Sequence, residues 1–367
     1  MLSTRPGRVR PARLTDLAAL GDLSRWSHAS GEERSRAVRS LGLPVAASQI
    51  SVFSLFRMPL GALQPHDPLY VYEEEGRLAG LARVETNDPR DEWTIVELDA
   101  VDQDTREQGS AAGDVRYRLV QHLLRDGGKR GCARFHVACA DEGGNVELFM
   151  QHGFARYGEE LILHRPGGRD WPQVPGDGEL SRLRLRAIVP VDALDLGRLY
   201  ALVTPPPVAR LEGYRLADWE RGADHARIPR SSLTPILRFA DTEAFVQHCP
   251  PTDRGSRDPE LAAFLQVGVS KTEQPHYLRV ITRPEHDATE LIRYGLAVLG
   301  ARSGEASRRA SDETPRKGVI AAVRTYESPL ERRLEEQGFQ RVAQVSLLMK
   351  ETLVRVADPA FLPATTR

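Results

Sequence analysis

The chain of 367 residues has little cysteine: only Cys132, Cys139 and Cys249, with no CxxC pair and no metal-ligand spacing from a histidine. This scarcity excludes a disulfide framework and predicts small buried thiols in a reducing compartment. The sequence also lacks an HExxH pattern and a G-x-S-x-G elbow, so it predicts neither a metal centre nor a serine hydrolase. The histidines His122, His136 and His152 are expected to complete hydrogen bonds or to lie at the surface.

Long apolar runs and an excess of charge are lacking as well. No segment approaches the roughly 18 apolar residues of a membrane helix, and the basic residues 1–13 lack the apolar centre of a signal peptide. Fifty basic residues stand against 51 acidic ones, a net charge of -1, so no overall field favours nucleic acid or an anionic membrane. We therefore expect a cytoplasmic protein with no nucleic-acid and no membrane partner.

What the sequence does contain is an internal repeat. Residues 10–20 can be laid over residues 186–196, because in each a short strand carrying Arg runs to an Asp that can cap a helix. The endings repeat too, with a Gly-Phe pair at 153–154 and again at 338–339, each followed by an apolar strand. Such a repeat, in a chain long enough for two cores, predicts two similar domains.

The boundary between the halves is marked by composition. Residues 165–178 hold too many Pro and Gly for a regular element, so we expect a first domain over 1–165, a linker over 166–179 and a second domain over 180–367. A further polar stretch, residues 303–317, is predicted to be a surface loop inside the second domain.

Elements of the first half alternate between strand and helix patterns. Residues 69–72 and 77–84, joined by a Glu-Gly turn, predict a hairpin. A helix is predicted where apolar residues recur every four positions, at Val115, Leu119 and Leu123. Further strands at 93–101 and 133–137 and a short helix at 145–152 complete the pattern. This order predicts a mixed α/β sheet rather than a simple parallel one.

The loop between strand 93–101 and the following helix carries the most specific pattern. It has Val101, then Arg106 five places on, Gly109 three further and Ala111 two beyond. In this spacing the sequence resembles the GCN5-related N-acetyltransferases, which keep Val, Arg or Gln, Gly, and Gly or Ala at these offsets. The resemblance implies two tandem acyl-coenzyme A N-acyltransferase domains, each a mixed, mostly antiparallel sheet flanked by helices.

A physical reason accompanies this spacing. A strand that turns directly into a helix leaves backbone N–H groups unpaired at the positive end of the helix dipole, where a pyrophosphate fits. The resemblance implies that acetyl-coenzyme A is the co-substrate and that its pantetheine arm receives main-chain hydrogen bonds from Ala100 and Val101. It also implies a pyrophosphate loop formed by Arg106, Glu107, Gln108, Gly109, Ser110 and Ala111.

The corresponding segment of the second half has lost this chemistry. Asp287 falls where Arg106 stands, Glu290 replaces the glycine and Ile292 replaces the small residue. Carboxylates repel a pyrophosphate and a bulky side chain blocks its approach. We therefore expect the second domain to be a degenerate copy that does not bind coenzyme A in this way.

Catalysis in this family needs a base for the amine and an acid for the leaving thiolate. Glu97 and Asp99 lie on strand 93–101 with the same parity, so both face one side of the sheet and either can serve as the base. Phe149 stands where many members of the family carry the Tyr that protonates the leaving thiolate. Tyr117, Tyr157 or water are the alternative proton donors.

The expected function is transfer of acetyl from acetyl-coenzyme A to a small-molecule or peptide amine in the first domain. The second domain would shape the acceptor site or a homodimer. The alternative from another class is a non-catalytic protein that binds acyl-coenzyme A or a protein partner as a scaffold. The intact loop favours the enzyme, and Phe149 favours the scaffold.

Overall fold

The computed structural model describes residues 7–16, 18–20, 23, 38–44, 68–87, 91–101, 112–168, 171–225, 231–249, 260–271, 273–309 and 317–352. In the described residues both halves combine strands with helices, and from residue 92 to residue 165 of the first half strand and helix alternate as the sequence predicts. The strands are β1 Arg8–Pro11, β2 Val38–Arg39, β3 Leu69–Glu74, β4 Arg77–Asn87, β5 Glu92–Val101, β6 Arg134–Ala140, β7 Ala155–Arg165, β8 Leu185–Ala187, β9 Phe239–His248, β10 Leu261–Ser270, β11 His276–Thr282, β12 Val319–Arg324 and β13 Gln340–Glu351.

Helices cover the sheet in each half. Val115, Leu119 and Leu123 are fully buried, which confirms the predicted apolar face of the first long helix. The helices are α1 Ala112–Lys129, α2 Asn145–Gln151, α3 Asp177–Leu183, α4 Ala193–Val203, α5 Pro206–Glu212, α6 Leu216–His225, α7 Thr289–Arg309 and α8 Ser328–Glu336.

All the strands join one 13-stranded sheet. The order along it is β1-β3-β4-β5-β6-β13-β7-β12-β11-β10-β9-β8, with β2 paired to β5. The pairs β5–β6 and β11–β12 are parallel, and the other pairings between described strands are antiparallel. The predicted tandem α/β architecture with a mostly antiparallel sheet is thus confirmed, but the two sheets are fused into one.

The fusion results from an exchange of last strands. β13, the last strand of the second half, lies between β6 and β7 of the first half. β7, the last strand of the first half, lies in turn between β13 and β12. Each half therefore completes the sheet of the other.

The repeated openings of the two halves adopt the same geometry. Arg10 holds Asp16 with two hydrogen bonds of 2.7 and 2.9 Å, and the backbone N–H of Arg13 donates to the same carboxylate. Arg186 holds Asp192 at 2.7 and 2.6 Å, and the N–H three residues before that Asp again donates to it. The hydrogen bond from Arg10 lowers the pKa of Asp16. The predicted repeat is confirmed at this level of detail.

The repeated endings match as well. Gly153 and Gly338 adopt the left-handed conformation, with φ of 81° and 85°. Directly after them, Phe154 N–H donates to Phe149 O and Phe339 N–H donates to Leu334 O, both at 3.1 Å. The two helices therefore end with the same backbone conformation and the same hydrogen bond.

The predicted loop at 303–317 is wrong in its first part, because α7 continues to Arg309. The Ser303 hydroxyl donates to Leu299 O at 2.7 Å, one helical turn earlier, and also contacts His276 Nε2 at 2.8 Å. Tertiary contacts therefore extend the helix through a polar sequence; residues 310–316 lie outside the described residues.

Candidate functional site: the cleft between β5 and β6

The parallel strands β5 and β6 pair over only four positions. The register runs from Glu92 opposite Arg134 to Ile95 opposite Val137, although both strands continue beyond this point. On the other edge of β5, the pairing with β4 shifts by one residue at Val96, which is a β-bulge. A bulge bends its strand, and the two strands part directly after it. The result is a cleft that opens toward the start of α1.

A small cavity of about 30 Å³, with room for about two water molecules, lies at this divergence and is partly open to solvent. Both halves of the chain form its walls. The first half contributes β5, β6 and β7, and the second half contributes residues 231–236 and the end of β12. Its lining residues are Leu43, Thr94, Ile95, Val96, His136, Val137, Ala138, Tyr157, Ser231, Ser232, Pro235, Ile236, Arg324 and Leu347. Its walls are mostly apolar, and a few polar groups converge on it.

His136 is the ionisable imidazole of this cavity. It is 6% exposed, and its Nε2 lies 3.7 Å from an Oε1 of Glu92, which is 1% exposed. Arg134 lies 3.6 Å from the same carboxylate oxygen. Of the two places expected for His136, the surface is wrong, because the ring is buried. Strand parity carries the signal: Phe135 belongs to the core under α1, so its neighbour His136 faces the other side of the sheet.

A buried charge cluster stands behind the second-half wall. The Arg324 guanidinium contacts Glu160 at 2.9 Å and Glu212 at 2.8 Å, and all three side chains are at most 5% exposed. Burial lowers the pKa of Arg324, but the two carboxylates more than offset this and raise it overall. Glu160 also accepts the backbone N–H of Ser232 at 2.7 Å. This cluster fixes the segment that closes the cavity.

The candidate bases Glu97 and Asp99 face one side of the sheet, as their parity predicts, because they stand opposite Arg83 and Leu81 on β4. Both carboxylates are buried, at 5% and 2% exposure. Glu97 accepts a hydrogen bond of 3.0 Å from the Arg83 guanidinium. Neither carboxylate is among the residues that line the cavity.

The coenzyme-binding residues suggested by the sequence fall into two groups. Ala100 and Val101 lie at the end of β5, where their backbones pair with Arg39 and Val38 of β2. The loop residues Arg106, Glu107, Gln108, Gly109, Ser110 and Ala111 lie outside the described residues. α1 begins immediately after this loop, at Ala112.

The three aromatic residues considered for acid catalysis occupy different places. Phe149 is fully buried and packs edge-on against Phe154 in the core. Tyr117 is 38% exposed and packs on the His152 ring, with centroids 4.2 Å apart. Tyr157 lines the cavity. The structure therefore brings Tyr157 and His136 to one site and leaves the other two away from it.

The matching region of the second half is arranged differently. Asp287 accepts hydrogen bonds from the N–H and hydroxyl of Thr289 at the start of α7, and these bonds lower its pKa. Ile292 is fully buried in the core. A carboxylate already occupies the positive end of this helix. That an anion does not bind here stays a prediction.

We also searched the described residues for metal sites, membrane helices and reactive thiols. They contain no group of three or more His, Cys, Asp or Glu placed to hold a metal ion. None of their helices is long and apolar enough to cross a membrane. Burial raises the pKa of both Cys132 and Cys139 to about 12, so these thiols are not reactive.

No family model and no curated protein matches the chain. Solved structures do. A tandem GNAT protein from the clavulanic acid biosynthesis pathway is 14% identical, with a TM-score of 0.50 over 94% of this chain and 98% of that one. A GCN5-related N-acetyltransferase from Sphaerobacter thermophilus is 16% identical, with a TM-score of 0.50 over 94% and 95%. The glucosamine N-acetyltransferase region of a fungal multi-domain β-N-acetylglucosaminidase is 11% identical, with a TM-score of 0.53 over 95% of this chain and 38% of that one.

At these identities the likeness establishes the fold. The chain has the fold of the GCN5-related N-acetyltransferases. More particularly, it has the tandem form of that fold, with two copies in one chain.

Proposed function

We propose that the chain is an N-acetyltransferase that moves acetyl from acetyl-coenzyme A to an amine in the cleft between β5 and β6. The observation that carries the proposal is the divergence of these strands at the Val96 bulge, directly beside a cavity that holds an imidazole and a phenol. The tandem acetyltransferase fold supports it.

The residues around the cleft suit the two substrates. The β5 edge at Ala100 and Val101 would hold the pantetheine arm, and the loop 106–111 before α1 would hold the pyrophosphate at the helix N-terminus. The amine would enter the cavity, where Ser231 and Ser232 of the second half form the far wall. The second half thus contributes to acceptor binding without its own coenzyme site.

His136 is our proposed base, since it lines the cavity and the Glu92 carboxylate, 3.7 Å from its Nε2, would stabilise the protonated ring. It would take the proton of the attacking amine. Backbone N–H groups at the Val96 bulge would stabilise the negative charge that develops on the carbonyl oxygen. Tyr157 would donate a proton to the leaving thiolate. Glu97 and Asp99 remain the rival bases, acting through water.

The second candidate function is a protein that binds acyl-coenzyme A without turnover. One observation favours it: Phe149 points into the core at the position suggested for the acid. Both candidate functions require coenzyme binding, so only a measurement of acetyl transfer distinguishes the enzyme from the non-catalytic binding protein.

The test is titration of acetyl-coenzyme A into the full chain, followed by thiol release with a panel of amines. We expect binding that Gly109→Glu abolishes, because this variant copies the residue of the second half. His136→Gln should lower kcat by about 100-fold or more. The control is His152→Gln, which removes another buried imidazole that is held by Leu148 O and Tyr117 O.

Each outcome separates the hypotheses. If turnover survives His136→Gln but is lost in Glu97→Gln or Asp99→Asn, the base is one of these two β5 carboxylates and not His136. Binding without turnover across the panel would establish the non-catalytic function. Absence of any coenzyme binding would end both.

A further inference from the structure

A short segment of the chain itself lies in the cleft. Residues 38–44, here called the inserted segment, begin with β2, which pairs with β5 through Val38 opposite Val101 and Arg39 opposite Ala100. These pairs form on the β5 edge that β6 has left, five and six residues after the last β5–β6 pair at Ile95. The inserted segment thus replaces β6 as the neighbour of β5.

The inserted segment also binds the β6 side of the cleft. Its Leu41 O accepts the backbone N–H of Ala140, the last residue of β6, at 2.8 Å. The Asn145 amide donates to Ser40 O at 3.2 Å and to Ala140 O at 3.1 Å, so one side chain ties the segment to the strand. Asn145 is in turn held by a hydrogen bond from Arg116. The segment therefore bridges both walls.

Gly42 fits this bridge closely. Its φ is 70°, and a Cβ added there would lie 2.7 Å from the Ala140 Cβ. On either side of it, Leu41 is buried in the first-half core and Leu43 lines the cavity. A larger residue at position 42 would be strained by its backbone and would collide with the wall of the cleft.

We propose that the inserted segment is an internal competitor of the acyl-coenzyme A pantetheine arm, and that substrate binding displaces it. This inference rests on the proposed function. A strand edge offers each backbone donor and acceptor to one partner at a time, and the arm and the segment need the same groups of Ala100 and Val101. Because Leu43 belongs to the same segment, its displacement also removes one wall of the acceptor cavity.

The chemistry of the segment makes the competition reversible. It is held by two strand pairs, one further backbone hydrogen bond, one amide side chain and the burial of Leu41, so it can leave the cleft without any helix of the fold moving with it. The apparent affinity for the coenzyme is then reduced by the fraction of molecules whose cleft is filled. Destabilising the filled state should raise that affinity.

The first experiment is hydrogen exchange of the full chain with and without saturating acetyl-coenzyme A. We expect amide exchange in residues 38–44 to become faster when the coenzyme binds, which is the reverse of ordinary ligand protection. Exchange in the β3–β4 turn should not change. Binding that leaves residues 38–44 unchanged or protects them would overturn the inference while the proposed function stands.

The second experiment compares Gly42→Ala with Gly76→Ala. Both glycines have positive φ, 70° and 77°, but a Cβ at Gly76 meets nothing within 4 Å. Gly42→Ala should bind acetyl-coenzyme A about tenfold more tightly than wild type, and Gly76→Ala should bind as wild type does. Equal or weaker binding by Gly42→Ala would count against the inference. If wild type and both variants bind no coenzyme, the proposed function fails and the inference fails with it.

Discussion

In each half the parallel strand pair parts partway along its length, which we call the cleft of that half, and the two clefts are closed by different means. In the first half the parallel strands part after Ile95 and Val137, and the space is bridged by the backbone of residues 38–44. In the second half the parallel pair β11–β12 ends at Leu278 and Ala321. There the Arg279 side chain crosses to Ala322 O at 3.0 Å and forms an ion pair with Glu327 at 2.7 Å.

The strands behind the two clefts differ as well. β5 has a bulge at Val96, whereas the pairing of β10 with β11 runs without a shift. Arg279 is the first residue after the last parallel pair, which is the position that Val96 holds in the first half. Under the proposed function the first cleft needs an edge that can be vacated, whereas a buried ion pair cannot leave without uncovering its charges. The difference shows how one copy of a fold can keep a cleft while the other uses the same place for stability.

Both halves belong to one sheet, because each supplies a strand to the other. Separating the halves should therefore have the largest effect on folding. We expect residues 1–176 and 177–367, produced apart, to lose cooperative folding altogether. Each piece would lack the strand that the other supplies, and would expose the unpaired edges of β6 and β12. Circular dichroism and thermal unfolding of each piece check this.

Co-expression of the two pieces is the control, and it should restore a folded 1:1 complex because the exchanged strands can still pair. A first piece that unfolds cooperatively by itself would show that its sheet closes without β13. It would also show that the two clefts can be treated as independent.

The second prediction concerns the closed cleft. Arg279→Leu should lower the free energy of unfolding by about 3–5 kcal/mol, because it leaves Glu327 buried without its cation. Arg279 and Glu327 are 3% and 9% exposed at the side chain. Urea unfolding measures the effect.

The matched variant is Arg279→Leu with Glu327→Leu, which removes both charges. It should recover at least half of the lost stability, since no unpaired charge remains. A double variant no more stable than the single one would mean that packing of the Arg279 chain, rather than its charge, closes the second cleft.

Local patterns predicted much of this fold. The repeat of Arg10–Asp16 in Arg186–Asp192, the hairpin β3–β4 and the buried face of α1 all rest on neighbours within a few residues along the chain. Short-range chemistry determines such features, so they can be inferred from one sequence.

Long-range pairing could not be predicted in the same way. β7 and β13 are both apolar strands after a Gly-Phe pair, and nothing in their pattern says which half each one completes. The two residues of β2 have no periodicity at all. At the site, His136 could have been placed by its parity with Phe135, but its approach to Glu92 depends on the parallel register of β5 and β6.

The last comparison is between the residues that begin the two parallel pairs, Glu92 and His276. Burial, reinforced by Lys317, lowers the pKa of His276 from its ordinary value of 6.5 to about 4. Its Nδ1 accepts the backbone N–H of Ser270 at 3.1 Å, as a neutral imidazole does. The folded chain therefore keeps this ring neutral at a pH where the unfolded chain protonates it.

The sign of the effect on stability follows from proton uptake. Above pH 6.5 neither state binds the proton, so the full stability is present; between pH 6.5 and about 4 only the unfolded state binds it, and stability falls. The loss in the free energy of unfolding should reach about 3 kcal/mol at most, and urea midpoints across this pH range measure it.

His276→Gln should flatten this decline of stability with falling pH. His286→Gln is the control, because burial lowers the pKa of His286 while Asp287 and Glu285 oppose the shift, so it should flatten the decline less. An unchanged slope in His276→Gln would mean that the ring is protonated in the folded chain, and that both parallel pairs begin at a charged residue.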